Sequence, residues 1–191
     1  VTQGSDILWG TTAAHKGNTT IDYAEGTAIN HRTGDVPLVF KHAMSNVIVK
    51  LKTTDNAADP DYVTLSGAKV KLVKLVTSGS IDIANGKVFA SSTPADQAFE
   101  KTVDTDFKVS ELMVPQTLTS DAKLVITVAD GTTNGTTYSL KLSDCTLENS
   151  TTAISESESG KQYTYTITLA KEAVKLRVLV QDWDKKTGSG N

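Results

Sequence analysis

The sequence predicts an all-β protein, an antiparallel β-sandwich of about seven strands. Three observations carry that expectation. Apolar and polar residues alternate at period two in one segment after another, the pattern of a strand with one face on a core and one in water. Turn residues separate those segments at regular spacing, and no segment has a convincing helical period, so there is no crossover helix to build a parallel sheet. The composition is also that of half-wet strands. Only 38% of the 191 residues are hydrophobic and 6% aromatic, while 28 are threonine, a β-branched residue that suits a pleated surface.

Residues 1–35 read as a leader, or as the remnant of a preceding domain or linker. They hold Gly4, Gly10, Gly17, Gly26 and Gly34 and one compact apolar cluster, Ile7-Leu8-Trp9. That cluster is expected to dock elsewhere, for instance on a preceding domain. A start at Val1 reads as a processed or truncated product. Residues 36–184 read as the sandwich. Its first run, Val36 to Leu51, changes phase: Leu38, Phe40 and His42 share one parity, Val47, Val49 and Leu51 the other. One buried face cannot survive that switch, so a bulge or strand break is expected between Ala43 and Asn46. Strands follow at Ala68–Val76 and in a hairpin about Asn85-Gly86. Asn-Gly tolerates the positive φ of a type I′ turn, which would place Ile83 opposite Val88. The one short helical candidate is Pro94–Phe99. Further strands are Phe107–Pro115, then Leu124-x-Ile126-x-Val128 and Tyr138-x-Leu140-x-Leu142 joined by a loop over Asp130 to Thr136. The clearest alternation is Tyr163-Thr164-Tyr165-Thr166-Ile167-Thr168-Leu169, followed by Val174–Trp183. Residues 185–191 read as a flexible tail.

Charge and cysteine usage exclude several classes. Nineteen basic residues against 22 acidic ones, with no basic run, leave no footprint for phosphate neutralisation, so nucleic acid is not an expected partner. No apolar stretch is long enough for a transmembrane helix. The single Cys145 forms no internal disulfide and reads as a quiet, partly buried thiol.

Catalytic chemistry is not legible. His15 and His31 lie in the polar leader without a second ligand at metal spacing, and His42 reads as a core-edge histidine bonded to backbone. No nucleophile elbow, P-loop or dinucleotide fingerprint occurs. No metal, cofactor or catalytic residue is predicted. The one loop with oxygens for calcium carries Asp55, Asp59 and Asp61, but its spacing is not that of an EF-hand, and a solvated turn is the commoner outcome. Sequons at Asn18, Asn134 and Asn149 matter only in a eukaryotic secretory protein. Tyr163 and Tyr165 share a face with Ile167 and Leu169, which points to core packing rather than to a sugar platform; Trp183 reads as a lid on one end of the sandwich.

Four motifs, in order along the chain, resemble the fimbrillin family of Bacteroidetes. Val36-Pro37-Leu38-Val39-Phe40-Lys41-His42-Ala43-Met44-Ser45-Asn46-Val47-Ile48-Val49-Lys50-Leu51 resembles its apolar–Phe–x–His run. Gly160 to Leu169 with Val174 to Trp183 resembles its closing strands. Asp6-Ile7-Leu8-Trp9-Gly10 and Val114-Pro115-Gln116 resemble two shorter signatures. The resemblance implies transthyretin-like (Ig-like) sandwich domains, of which this chain is mainly the C-terminal one. It also implies an exported, non-enzymatic subunit of a type V pilus, at the cell surface and associated with the outer membrane. Its partners would be other pilin subunits joined by strand exchange, with a surface receptor or glycan as a further partner. The family's maturation cut after an arginine is not carried over to Arg32. Val174, Leu176, Val178 and Val180 have the alternation that strand pairing and polymerisation require. If they form the chain's own last strand, the polar tail is too short to donate, and a tip or accessory subunit is implied. The alternative is a carbohydrate-binding sandwich module, marked by an exposed row of aromatics. A metal-dependent hydrolase would need a histidine among carboxylates.

Overall fold

A computed structural model describes residues 1–12, 38–129, 135–146, 152–171, 174–183 and 187–188. His15, His31, Arg32, Asn18, Asn134, Asn149 and most of the 130–136 loop lie outside them. In chain order the described strands are β1 (Leu8–Thr12), β2 (Leu38–His42), β3 (Ser45–Lys52), β4 (Lys69–Val73), β5 (Gly79–Ile81), β6 (Val88–Ala90), β7 (Phe99–Thr102), β8 (Lys108–Met113), β9 (Gln116–Thr117), β10 (Lys123–Val128), β11 (Thr136–Lys141), β12 (Glu156–Ser157), β13 (Lys161–Leu169), β14 (Val174–Asp182) and β15 (Thr187–Gly188). One 3-10 turn, Leu142–Asp144, follows β11.

Two four-stranded sheets form the sandwich, in the orders β11-β10-β4-β7 and β14-β13-β3-β8. Their inner faces meet in one core. Val47, Val49 and Leu51 of β3 and Tyr163, Tyr165, Ile167 and Leu169 of β13 face Val70 and Leu72 of β4 and Leu124, Ile126 and Val128 of β10. These are the alternating positions of the sequence, and none is more than 3% exposed. At roughly 1.5–3 kcal/mol for each fully buried large side chain, they dominate the stabilisation.

The break expected after Ala43 is present. β2 ends at His42 and β3 begins at Ser45, because the two strands belong to different sheets. β2 is the middle strand of a small sheet, β1-β2-β15. Thus Thr187 and Gly188, from the region read as a flexible tail, pair with Val39 and Leu38.

Four features depart from the pattern read in the sequence. β3 and β13 run parallel, with Val47 beside Tyr163 and Leu51 beside Ile167, while the other strand pairings are antiparallel. The β5–β6 hairpin places Ile81, not Ile83, opposite Val88. Asp82 accepts the Ala84 amide and the Asn85 side-chain amide, and Asn85 accepts the Lys87 amide; this asparagine–aspartate network makes a six-residue loop more favourable than the two-residue turn. Pro94–Phe99 is not helical: Ala95 bridges Leu75, and Phe99 opens β7. Thr164, expected in water, is 9% exposed, because β13 is a central strand flanked on that face by Ile48 and Leu179.

Candidate functional site

The segment before β1 lies along the sandwich. The Val1 α-amino group donates to the Gly79 carbonyl at 2.8 Å, Gln3 N–H to Thr77 and Gly4 N–H to Leu112. Ile7-Leu8-Trp9 has its partner within the chain. The Trp9 indole N–H donates to the Ile83 carbonyl at 2.8 Å, and Lys41 Nζ lies 4.7 Å over the Trp9 ring. Gly86, at φ +73°, lets the ring approach: a Cβ there would sit 2.5 Å from Trp9 Cδ2.

His42, at the end of β2, meets the segment before β1 and the residue that follows β14. It is 7% exposed, its Nδ1 lies 3.0 Å from Asp6 Oδ1, and its ring stacks on Trp183 at 3.4 Å and 11°. A side-chain carboxylate therefore takes the place of the backbone partner expected for it. The Trp183 backbone N–H donates to the Gly160 carbonyl at 2.7 Å. The group is not a catalytic triad. A triad needs the nucleophile on the imidazole, whereas Ser159 Oγ donates to the His42 carbonyl. Asp6 is 36 residues away in sequence, and only its place in the Asp6-to-Gly10 motif hinted at a role.

Other candidates resolve as structure. Cys145 is buried, and burial pushes its thiol up to about 12. Tyr163 and Tyr165 are 2% and 3% exposed, so neither is a sugar platform, and burial raises both phenols above their ordinary range. Asp55, Asp59 and Asp61 lie in an exposed or half-exposed turn, where Asp59 Oδ1 accepts the Asp61 amide. Among the described residues no three His, Cys, Asp or Glu side chains are grouped to hold a metal. Gln116, unremarked except in the Val-Pro-Gln signature, clips two segments together: it accepts the Val76 amide at 2.7 Å and donates to the Val76 and Val114 carbonyls.

Val174, Leu176, Val178 and Val180 pair within the chain. β14 matches β13 over nine residues, from Val174↔Leu169 to Asp182↔Lys161. Val178 is fully buried and the other three are half-buried against the core. β14 is a strand of the chain's own sandwich, and it is an edge strand. The edge at β8, across the same sheet, is covered: the Leu112 carbonyl accepts Gly4 N–H and the Ser110 carbonyl accepts Lys101 Nζ. Among the described residues no strand lies outside β14.

Two four-stranded sheets packed face to face define the class of protein as an all-β sandwich. Two solved structures share that fold. A candidate cell adhesion protein from Bacteroides uniformis ATCC 8492 is 16% identical with a TM-score of 0.60, over 93% of this chain and 66% of that one. Another from Bacteroides ovatus ATCC 8483 is 22% identical with a TM-score of 0.51, over 77% of this chain and 53% of that one. The chain thus spans between about half and two thirds of their length. No curated protein matches it. The chain belongs to the fimbrillin-like family, whose model matches residues 3–183.

Proposed function

We propose that this chain is a non-enzymatic structural or adhesive subunit of a bacterial surface fimbria, extracellular and associated with the outer membrane, joined to other pilin subunits by β-strand donation. Family membership supports the fimbrial part. One observation supports strand donation: the nine-residue β14 forms a sheet edge with no strand beyond it among the described residues. An edge strand presents N–H and C=O groups to a partner strand, and a subunit can gain a full ladder of hydrogen bonds by accepting one. β14's own alternating residues are already used inside, so this chain receives a strand there rather than offering β14.

Purification of the protein, protease treatment, mixing with partner pilins and electron microscopy test the reading. End-to-end oligomers or filaments are expected with partner pilins. Their absence across partner mixtures would refute assembly by strand donation.

A further inference from the structure

At the end of the sandwich farthest from the His42–Trp183 junction, four segments surround an open cleft of about 610 Å³. The topology fixes that location. β3 and β13 run in parallel away from the junction, the β3–β4 connection supplies Tyr62 and Thr64, and Lys171 follows β13. Val128 and Thr136 come from the facing ends of β10 and β11, and Tyr138 is two residues further along β11. The volume falls within the usual range of small-ligand sites, about 300–1,000 Å³.

The wall is braced before any ligand arrives. Tyr138 Oη donates to the Ala170 carbonyl at 3.2 Å, which ties β11 to the segment carrying Lys171. Val128, 1% exposed, belongs to the core and gives the cleft a rigid apolar base. Tyr62 and Tyr138 are both half-buried, so each presents part of a flat ring and keeps a polar tip. Thr64 is exposed and brings a hydroxyl that can donate and accept. Lys171, exposed at the rim, is the one charged residue among those described as lining the cleft.

We propose that this cleft binds a saccharide carrying a carboxylate. A sugar ring offers C–H faces to the tyrosine rings and hydroxyls to Thr64 and the Tyr62 tip. The Lys171 ammonium at the rim offers a charged partner to an anionic group on the ligand. A small inorganic anion would have no use for two aromatic walls, and an apolar ligand would leave Thr64 and Lys171 without a role. The site stands apart from fimbrial assembly, because it lies away from the terminal junction and uses no β14 residue.

Saturation-transfer NMR on the intact chain, with glucuronic, galacturonic and N-acetylneuraminic acids as probes and glucose as the uncharged control, tests this. Transfer to at least one acid is expected, with glucose weaker by about tenfold, the scale of one charge-assisted hydrogen bond. Tyr62→Ala should abolish the transfer. Lys171→Gln, at an exposed position that cannot unfold the core, should bring the acid down to the level of glucose. No transfer to any of the three acids, or a preference for acid that survives Lys171→Gln, overturns the proposal.

Discussion

Gly86 shows how one residue holds two segments together. Its φ of +73° lies in the left-handed region, and Trp9 occupies the space a side chain would take. Gly86→Ala should cost about 1–2 kcal/mol for the backbone alone, plus displacement of Trp9 from the Ile83 carbonyl. Urea unfolding and a shift in tryptophan emission measure the two parts. An unchanged spectrum would mean that Trp9 does not rest there in solution. Cys145 gives a second residue-scale prediction. Burial raises its thiol from the ordinary 9.0 to about 12, helped by the nearby Asp144 carboxylate. The folded state therefore holds the proton more tightly than the unfolded chain does. Its contribution to stability is fully present below pH 9.0 and is lost as pH climbs toward about 12. The same burial should keep a thiol reagent from labelling the native protein at pH 8, with labelling appearing in step with unfolding.

At the scale of elements, β14 is the strand to probe. Trp183 N–H donates to Gly160, and antiparallel ladders alternate. The amides of Arg177, Leu179 and Gln181 therefore point into β13, and those of Leu176, Val178 and Val180 point outward. Hydrogen exchange should alternate accordingly, with the first set slow and the second fast. Uniform protection would show that the edge is already covered. The small sheet β1-β2-β15 is a different kind of element. Its middle strand ends at His42, where Asp6 and Trp183 converge. The His42–Asp6 pair and the stacked Trp183 ring tie the segment before β1 to the end of β2 and to the residue after β14, whereas the exposed ion pairs Lys69–Glu100 and Lys161–Asp182 contribute about 0–1 kcal/mol each.

Over the whole molecule, the parallel β3–β13 pairing dominates the folding problem. Val47 must find Tyr163, more than a hundred residues away. Loop closure of that span must be overcome before the core rewards it, so folding in milliseconds to seconds is expected rather than in microseconds. Stopped-flow refolding followed by tryptophan emission checks this. A microsecond phase carrying the full amplitude would contradict the topology argument. The two ends of the sandwich also divide the work. One end gathers Asp6 and Trp183 about His42, and the other gathers the loops that frame the Tyr62–Tyr138 cleft.

The strands themselves were legible in the sequence. Alternation at Val47 to Leu51, Leu124 to Val128 and Tyr163 to Leu169 named the core residues, and the phase switch at Ala43 marked a real change of sheet. Burial of every second side chain is a property of one strand and can be read locally. The choice of neighbour is not local: any alternating strand could accept any other, and only collective packing placed β13 between β3 and β14. For the same reason the sequence alone could not bring Asp6 to His42, Gln116 to Val76, or Tyr62 to Tyr138. Each pair depends on where two separate chain segments come to rest once the common core has formed.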